Sequence, residues 1–511
     1  MPVFTALAGL LALTLLVHSA GFAVEPDPRY WRLAEIEAQF AIWADEYPAI
    51  FHATVLGQSG QGVDIPAVRI SDNAGVAEAE PRLLFHGAQH ANECNGTTAI
   101  MATIATLLAG YGGDPDITAR VDGLEQWFIP IVNVDGHLYV FGDTPSWQNW
   151  RKTLRDNNDN GIIDFPADGV DMNRNWDWYW SDYSESEPSS QKYKGPRIWS
   201  EPEVVLLRDF VLNERPVLVV DYHSPVTIGW SNYIFWPWQS THGGGQSPDA
   251  PVARDIAMQW ADATLTETGQ SYSTIWAYDT LPKEQCWVYG RTGIITYVME
   301  IADHCWWSGA TIDTIGSRVA RGSVLLQDRV LTGPGITGMV TDAMTGAALV
   351  AEVQLAEMHS ADVGPRLSES RFGQYHRLTQ LGTYTVTVSL RGYTTQTRTV
   401  TVDAADWFKL DFALQPDLSG VAGPEGVESW LQVSNPVQGG RLVRCRMPAG
   451  TNSGQVDLFD LRGRWLAELG SRLAAEQVHE LTFPRGLPAG VYLIRARAGD
   501  QQQVRRVVLV R

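Results

Sequence analysis

Three residues with metal-binding side chains have a spacing that suits a catalytic metal ion. His90 and Glu93 stand three positions apart, directly after a predicted strand and before a predicted helix, so both side chains can face one ion from a single turn. A third candidate, His223, follows an apolar strand far downstream. A short pair with one distant histidine leaves a fourth zinc position open, as catalytic sites require. Taken alone, the pair is also explained as a histidine at a helix start with a capping glutamate, and His86 with Gln89 forms a similar, incomplete pair upstream.

Neighbouring motifs extend this pattern over most of the first 300 or so residues. They are Asn133-Val134-Asp135-Gly136, Trp150-Arg151-Lys152-Thr153, Gly169-Val170-Asp171-Met172-Asn173-Arg174-Asn175-Trp176 and Asp221-Tyr222-His223-Ser224. With these motifs the chain resembles the zinc carboxypeptidase family of the carboxypeptidase A type. The resemblance implies one catalytic Zn²⁺ held by His90, Glu93 and His223.

The same resemblance implies roles for residues around the metal. Glu300 matches the catalytic glutamate, and Arg151 matches the arginine that polarises the scissile carbonyl. Substrate-binding positions fall on four residues: Asn173 and Arg174 for the free carboxylate, Tyr278 for the mobile tyrosine, and Gln285 for the sorting of side chains.

Elementary chemistry gives each of these residue types a use in amide hydrolysis. Zinc lowers the pKa of a bound water to about 7, and Glu300 can act as the general base that accepts its proton. Arg151 can stabilise an oxyanion, and Arg174 can pair bidentately with a chain-terminal carboxylate. Each residue taken singly is also explained by ordinary packing or surface ion pairs. Their joint order favours a secreted zinc metallocarboxypeptidase that hydrolyses the C-terminal peptide bond of peptides and proteins.

Two other functions remain open on the same fold. A murein peptide amidase, or another deacylase, would use the same metal chemistry on a different amide bond. A non-catalytic binding protein is disfavoured because no catalytic position has been replaced. We expect hydrophobic or broad specificity, because Gln285 is neutral and the run Tyr233–Trp238 is aromatic, although core packing explains that run equally well.

An Asn/Asp-rich loop between the two arginine motifs resembles a calcium site. Its candidate Ca²⁺ ligands are Asp156, Asn158, Asn160, Ile162 and Asp164, which alternate as in calcium loops. Ala167 stands where an EF-hand loop would carry its bidentate glutamate, so the motif is incomplete. A solvated turn is the alternative.

The elements that must position these residues alternate between strands and helices. Apolar strands are predicted at 82–86, 126–132, 217–221 and 293–301, with helices at 31–47, 97–109 and 201–213. This pattern predicts an α/β fold, a mixed-sheet α/β/α domain with functional residues at strand ends. Two small β-sandwich domains follow, because period-two patterns such as Tyr384–Val388 replace the alternation.

The chain is accordingly divided into five segments. We expect a signal peptide at 1–23, from the apolar run Ala6–Val17 and the Gly21-Phe22-Ala23 cleavage pattern, and a catalytic domain at 24–332. Residues 333–415 resemble a carboxypeptidase regulatory-like (transthyretin-like) β-sandwich, and 416–427 form a linker. Residues 428–511 resemble a C-terminal sorting domain of bacterial type IX secretion, through motifs such as Val456–Arg464 and Gly486–Tyr492.

Charge and cysteine content narrow the partners and the compartment. The net charge of −20 argues against nucleic-acid binding, although the segment from Arg441 to Arg511 is basic. We expect a secreted or cell-surface bacterial monomer without a transmembrane segment or an inhibitory prodomain. It should act on peptide C-termini and contact a secretion machinery through its last domain. Export permits a Cys286–Cys305 disulfide, and buried thiols are the alternative.

Overall fold

In the computed structural model, the described part of the predicted catalytic domain, here called the catalytic region, contains eight strands and eight α-helices. The structure describes residues 26–142, 149–225, 231–239, 246–278, 280–417, 431–433, 442–448, 453–460, 464–484, 487–488, 490–499 and 501–509. The predicted signal peptide therefore lies outside the described residues. The strands are β1 Phe51–Gln58, β2 Asp64–Ile70, β3 Arg82–Gly87, β4 Glu125–Ile129, β5 Leu218–His223, β6 Tyr233–Gln239, β7 Ser273–Tyr278 and β8 Ile295–Glu300. The helices are α1 Leu33–Glu46, α2 Asn95–Gly110, α3 Pro115–Asp122, α4 Val134–Val140, α5 Pro202–Glu214, α6 Ala250–Ala263, α7 Glu284–Thr292 and α8 Ala310–Thr332.

These strands form one mixed sheet in the order β1-β2-β4-β3-β5-β8-β6-β7. The central strands β4, β3, β5 and β8 run parallel, and antiparallel pairs join them to β2 and β6. Strands β3 and β5 are buried along their whole length, as expected for parallel strands covered on both faces. The predicted mixed-sheet α/β fold is confirmed.

Local sequence explains where the helices begin and end. Asp114 caps α3 by accepting hydrogen bonds from the amides of Asp116 and Ile117, with Pro115 at the first helical position. Helix α7 ends at Gly293, whose φ of 68° is left-handed and favours glycine. Helix α8 packs against α2 and α6 and ends at Thr332, directly before the β-rich part of the chain.

The middle module, residues 333–415, has two small sheets. Its strands are β9 Gly335–Asp342, β10 Glu352–Leu355, β11 Gln374–Leu378, β12 Gly382–Ser389, β13 Gln396–Val402, β14 Trp407–Lys409 and β15 Phe412–Leu414. One sheet has the order β10-β12-β13, and in the other β9 pairs with β11, β14 and β15. Alternating burial along β12 matches the predicted period-two pattern.

This middle module packs directly against the catalytic region. The Trp407 indole N–H donates to the Val330 carbonyl of α8 at 2.9 Å, and the Gly364 amide donates to the Gly290 carbonyl of α7 at 2.7 Å. A Cβ on Gly364 would clash with the Arg291 carbonyl, so glycine is required for this approach. The apolar core is continuous across the two units.

The C-terminal unit has a core of its own. Its strands are β16 Leu431–Val433, β17 Leu442–Arg446, β18 Gly454–Asp460, β19 Trp465–Leu473, β20 Val478–Thr482, β21 Gly490–Ala498 and β22 Gln501–Leu509. They form the sheets β16-β17-β20 and β19-β18-β21-β22, which enclose a separate apolar cluster. Most of the predicted linker and part of the sorting motifs lie outside the described residues. Within the described ranges, no helix is long and apolar enough to cross a bilayer.

Candidate active site

The carboxyl ends of three neighbouring parallel strands carry the predicted catalytic residues. His90 and Glu93 lie in the turn between β3 and α2, His223 is the last residue of β5, and Glu300 is the last residue of β8. In the β5–β8 pairing, His223 stands directly opposite Glu300. Side chains at paired positions project from the same face of a sheet, so the fold itself sets these two residues side by side.

The three predicted metal ligands converge on one point. His90 Nδ1 lies 2.9 Å from Glu93 Oε1, His223 Nδ1 lies 2.9 Å from Glu93 Oε2, and the two Nδ1 atoms are 2.9 Å apart. All three residues are buried. Two donor atoms on one tetrahedral zinc ion are about 3.4 Å apart, given zinc–ligand bonds of about 2.1 Å. Two imidazole nitrogens and a carboxylate gathered this closely therefore fit a zinc ion.

Asp171 links one of these ligands to the neighbouring positive side chains. Its Oδ1 faces His90 Nε2 at 3.1 Å and accepts the Asn173 amide at 3.0 Å. Burial alone would raise the pKa of Asp171, but Arg151, Arg174 and His90 hold it well below its ordinary value. This carboxylate is therefore charged, and a charged partner fixes the tautomer and ring orientation of a ligating histidine.

Arg151 lies across the predicted metal site. Its Nη1 donates to Glu93 Oε1 at 3.0 Å, and its Nε and Nη2 donate to Asp171 Oδ2 at 3.2 and 3.1 Å. The Arg151 carbonyl also accepts the Ala91 amide at 3.1 Å, which joins the Arg151 loop to the His90–Glu93 turn. The guanidinium is thus held within reach of anything bound to the metal ligands.

Glu300 has the environment of a general base. Its Oε2 is buried without a hydrogen-bond partner in the described part of the chain, although the residue as a whole is partly exposed. Burial, followed by the nearby Glu93 carboxylate, raises the pKa of Glu300 to about 7, against the opposing influence of His223, Lys283 and Arg151. An orphaned carboxylate oxygen beside a metal-ligand set is suited to hold a water or a proton.

Asn173 and Arg174 lie in a short 3₁₀ turn, Met172–Arg174. Asn173 Oδ1 accepts the Glu284 amide at 3.0 Å, which ties the turn to the start of α7. Arg174 donates from Nε to the Tyr183 hydroxyl and from Nη1 to the Asn173 carbonyl, at 3.1 and 2.6 Å. These contacts fix the guanidinium and leave Nη2 without a partner among the described residues, so a ligand carboxylate can bind there.

The last two predicted substrate residues differ in placement. Tyr278 ends the edge strand β7 with 52% of its side chain exposed, as a ring that moves over a substrate requires. Gln285 is buried, and its amide nitrogen donates to the Phe235 and Thr296 carbonyls at 2.9 and 2.8 Å. That amide nitrogen links β6 to β8, and the role of Gln285 in sorting side chains stays a prediction.

A second buried polar cluster lies behind the metal ligands. Asp221 Oδ2 lies 2.6 Å from His223 Nε2, and His86 Nε2 lies 2.9 Å from Glu284 Oε1. Gln89 Nε2 donates to both Asp221 and Glu284. Burial would lower the pKa of His86, but the Glu284 and Asp221 carboxylates raise it. We name these four residues, His86, Gln89, Asp221 and Glu284, the inner network; it connects His223 to the start of α7.

Sequence reasoning missed most of the inner network. Asp221 sits two residues before His223 in an otherwise apolar strand, and a charged residue in such a strand is a signal that was available. His86 is an equally isolated polar residue in β3. Glu284 had no comparable signal, because only the tertiary fold brings its side chain to His86 of β3.

The predicted calcium loop is organised by its own backbone. Asp156 Oδ2 accepts the Gly161 amide at 2.7 Å, Asn160 Oδ1 accepts the Ile162 amide at 2.8 Å, and Asn160 Nδ2 donates to Asp164 Oδ2 at 2.8 Å. Asn158 Oδ1 accepts the Asn160 amide. These contacts are those of a solvated Asx turn, so Ca²⁺ binding here stays a prediction.

Two remaining expectations concern the aromatic run of β6 and the cysteines. Ile234, Trp236 and Trp238 of β6 are buried, and Trp238 stacks on Trp178 at 5.2 Å between ring centroids, as the core-packing alternative predicts. All four cysteines are buried and not disulfide-bonded. The Cys286–Cys305 disulfide is therefore not formed, and the alternative of buried thiols holds in this structure.

Comparison with known proteins gives matches in two parts of the chain. A family profile described as zinc carboxypeptidase matches residues 36–316, which include every predicted zinc ligand. A second profile, described as PEGA domain, matches residues 377–418 in the middle module. Neither profile is that of a regulatory-like or a type IX sorting domain.

Similar proteins come from distant organisms. The chain is 26% identical to carboxypeptidase D of Anas platyrhynchos over 418 residues, which cover 77% of this chain and 27% of that protein. It is 28% identical to a zinc carboxypeptidase of Saccharothrix mutabilis subsp. capreolus over 267 residues, which cover 50% of this chain and 58% of that one. The chain thus spans about a quarter of the length of the first relative and less than two thirds of the second.

A solved structure shares the fold of the catalytic region. Bovine thrombin-activatable fibrinolysis inhibitor, in complex with tick carboxypeptidase inhibitor, superposes with a TM-score of 0.50 and 19% identity, over 59% of this chain and 98% of that chain. Because the zinc carboxypeptidase profile covers more than half of the sequence and the fold agrees with it, this protein belongs to the zinc carboxypeptidase family.

Proposed function

We propose that this protein is a zinc-dependent carboxypeptidase that releases single residues from the C-terminal end of peptides. The observation that carries the proposal is the convergence of His90, Glu93 and His223 within ligand distance of one another, with Glu300 paired beside His223 at the same sheet edge.

His90, Glu93 and His223 would hold the zinc ion. When bound, zinc supplies Lewis acidity and a water of lowered pKa. Asp171 and Asp221 orient the two histidines through their second ring nitrogens, which fixes the tautomer that each ring presents. Arg151, Arg174 and His90 lower the pKa of Asp171, and the neighbouring histidines lower that of Asp221, in each case against the effect of burial.

Asn173 and Arg174 give the reaction its preference for chain ends. The Arg174 guanidinium donates to the Tyr183 hydroxyl and lies over the Tyr183 ring. Its planar set of N–H donors matches the geometry of a carboxylate. A peptide held there by its terminal carboxylate presents its last amide bond toward the metal ligands. An internal segment of a chain has no such carboxylate and is not held.

Glu300 transfers the proton, and Arg151 stabilises the negative charge that develops on the carbonyl oxygen. Glu300 accepts a proton from the attacking water and delivers it to the leaving amine, a role that suits a pKa near 7. Arg151 donates to the carbonyl oxygen as negative charge develops, a contribution typically worth about 10²–10³ in rate. Tyr278, exposed at the rim, closes over the bound residue and excludes water.

Amino-acid release from peptides with varied C-termini tests this proposal. The zinc-loaded full chain should release single C-terminal residues, and a chelator should stop the release. Glu300→Gln, which keeps the shape of the side chain but removes the base, should abolish release without weakening zinc binding. Failure to cleave any peptide, or release of products other than C-terminal amino acids, would move the assignment to an amidase or a binding protein.

Export and sorting are part of the same proposal. A secreted bacterial enzyme is supported by the apolar run Ala6–Val17. The separate core of the C-terminal unit supports its role as a sorting signal for export. The middle module stabilises the catalytic region. Expression in a bacterium with type IX secretion tests the address: deletion of 428–511 should retain the protein inside the cell. Unchanged export of the deletion variant would contradict the sorting role.

A further inference from the structure

One lysine in the candidate active site has no function in the mechanism above. Lys283 directly precedes α7, and both of its neighbours bond to the carboxylate-binding turn. The Pro282 carbonyl accepts the Trp176 amide at 3.4 Å, and the Glu284 amide donates to Asn173 Oδ1 at 3.0 Å. Lys283 is therefore anchored on both sides to the segment that carries Asn173 and Arg174.

The Lys283 ammonium group lacks a counterion in the described part of the chain. No carboxylate of the described residues lies within ion-pair distance of it, whereas Arg151 and Arg155 both have carboxylate partners. The side chain is half-buried. Burial, then the nearby Arg174, lowers the pKa of Lys283 to about 8, while Cys286 and Glu300 oppose this and Arg151 adds to it. The charges of Arg174, Glu300 and Arg151 therefore act on the Lys283 amine, which stays mostly charged at neutral pH.

The charges of Arg151, Arg174 and Lys283 are not all balanced by carboxylates of the protein. Arg151 is neutralised by Asp171 and Glu93. Arg174 forms no ion pair among the described residues and donates to a hydroxyl and a carbonyl oxygen, so a peptide's terminal carboxylate would balance it. Glu300 is the nearby carboxylate whose charge acts on Lys283, but the two form no ion pair. Lys283 then remains as one more cation, and a partly buried cation is costly unless it is paired. A second carboxylate on the same ligand would pair it.

We infer that Lys283 binds the side-chain carboxylate of the substrate's C-terminal residue, and that the enzyme prefers peptides ending in glutamate or aspartate. This inference rests on the proposed function and replaces the hydrophobic specificity expected from the sequence. Two observations weaken that expectation: the Gln285 amide nitrogen donates to backbone carbonyls, and Ile234, Trp236 and Trp238 of β6 are buried in the core.

Hydrolysis of four matched peptides by the zinc-loaded full chain tests the inference. The substrates are N-acyl-Phe-Glu, N-acyl-Phe-Gln, N-acyl-Phe-Leu and N-acyl-Phe-Lys. We expect kcat/KM for Glu to exceed that for Gln by about 10- to 100-fold, the range for one charge-assisted hydrogen bond. Lys283→Met should abolish this ratio, and Lys283→Glu should shift the preference toward Lys. Lys409→Met, a substitution of an exposed lysine on β14, is the matched control and should keep the wild-type ratio.

The outcomes separate the two proposals. A wild-type enzyme that cleaves Gln or Leu peptides as well as Glu peptides overturns the inference. So does an equal loss on all four peptides in Lys283→Met, because that result assigns Lys283 to the terminal carboxylate. If no peptide is cleaved, the proposed function has failed, and calorimetry then decides on Lys283. In zinc-loaded Glu300→Gln, N-acyl-Phe-Glu should bind at least about tenfold tighter than N-acyl-Phe-Gln, and equal affinities refute the inference.

Discussion

Asp221→Asn should weaken zinc binding, although Asp221 is not itself a metal ligand. Asp221 lies 2.6 Å from the outer nitrogen of His223, at a separation typical of a hydrogen bond to a charged group. The asparagine side chain has nearly the same shape, so the packing of β5 is kept. The substitution removes the charge that holds His223 in one tautomer and lets the amide present a hydrogen in place of an acceptor oxygen.

The size of the effect follows from the burial of this contact. Asp221 and His223 are both almost completely buried, so water cannot replace the lost acceptor. Loss of such a partner of a ligating histidine typically costs 10- to 100-fold in metal affinity, or about 1.4–2.7 kcal/mol. Asp221 also faces His86, so the substitution should lower the stability of the inner network in addition.

Zinc affinity is measured by competition with a chromophoric chelator at fixed pH, with the fold monitored by circular dichroism. Asp249→Asn is the matched control, because Asp249 is equally buried but lies beside Arg366 and Arg377 of the middle module. We expect weaker zinc binding only in Asp221→Asn. An unchanged zinc affinity in a folded Asp221→Asn protein would refute the positioning role of this carboxylate.

Three other predictions concern the base, the module contact and the Asn/Asp loop. Because Glu300 acts as a base with a pKa raised to about 7, kcat/KM should rise with pH through about 7 and then level off; a flat profile between about pH 5 and 8 contradicts this role. Trp407→Ala should lower the free energy of unfolding by about 2–4 kcal/mol in urea titrations, because the indole packs between the two units and donates to Val330. Its neighbour Phe408, which is 37% exposed, is the control position, and an equal loss in Phe408→Ala would show that the contact is not specific. Millimolar Ca²⁺ should raise the melting temperature of the wild type but not of Asp156→Asn, and the calcium prediction is wrong if both respond alike.

The fold was predictable because its signals are local and repeated. Mainly apolar runs in the sequence predicted strands such as β3 and β5, and their predicted bounds differ from the observed ones by at most two residues. The change to period-two alternation also identified the strands of the middle module. The packing of that module against α7 and α8 could not be predicted, because it depends on contacts such as Gly364–Gly290 between residues far apart in sequence.

The candidate site was predictable only where a motif contains the residue. His90 and Glu93 are neighbours in sequence, and the structure brings His223 to them. For Gln285, spacing gave the position along the chain but not the direction of the side chain, which the packing of α7 turns into the core. Lys283 belongs to no motif, and its importance follows from the lack of a carboxylate within ion-pair distance among the described residues.

Helix α7 has a practical consequence for anyone who works with part of this chain. Its first turn is bonded to the Asn173 side chain, and the Gly290 carbonyl near its other end accepts the Gly364 amide from the middle module. A fragment cut after α8 would strip away the surface that fixes this helix, and its recorded substrate preference would be that of a partly unsupported pocket. The smallest unit on which specificity should be measured therefore extends through residue 415.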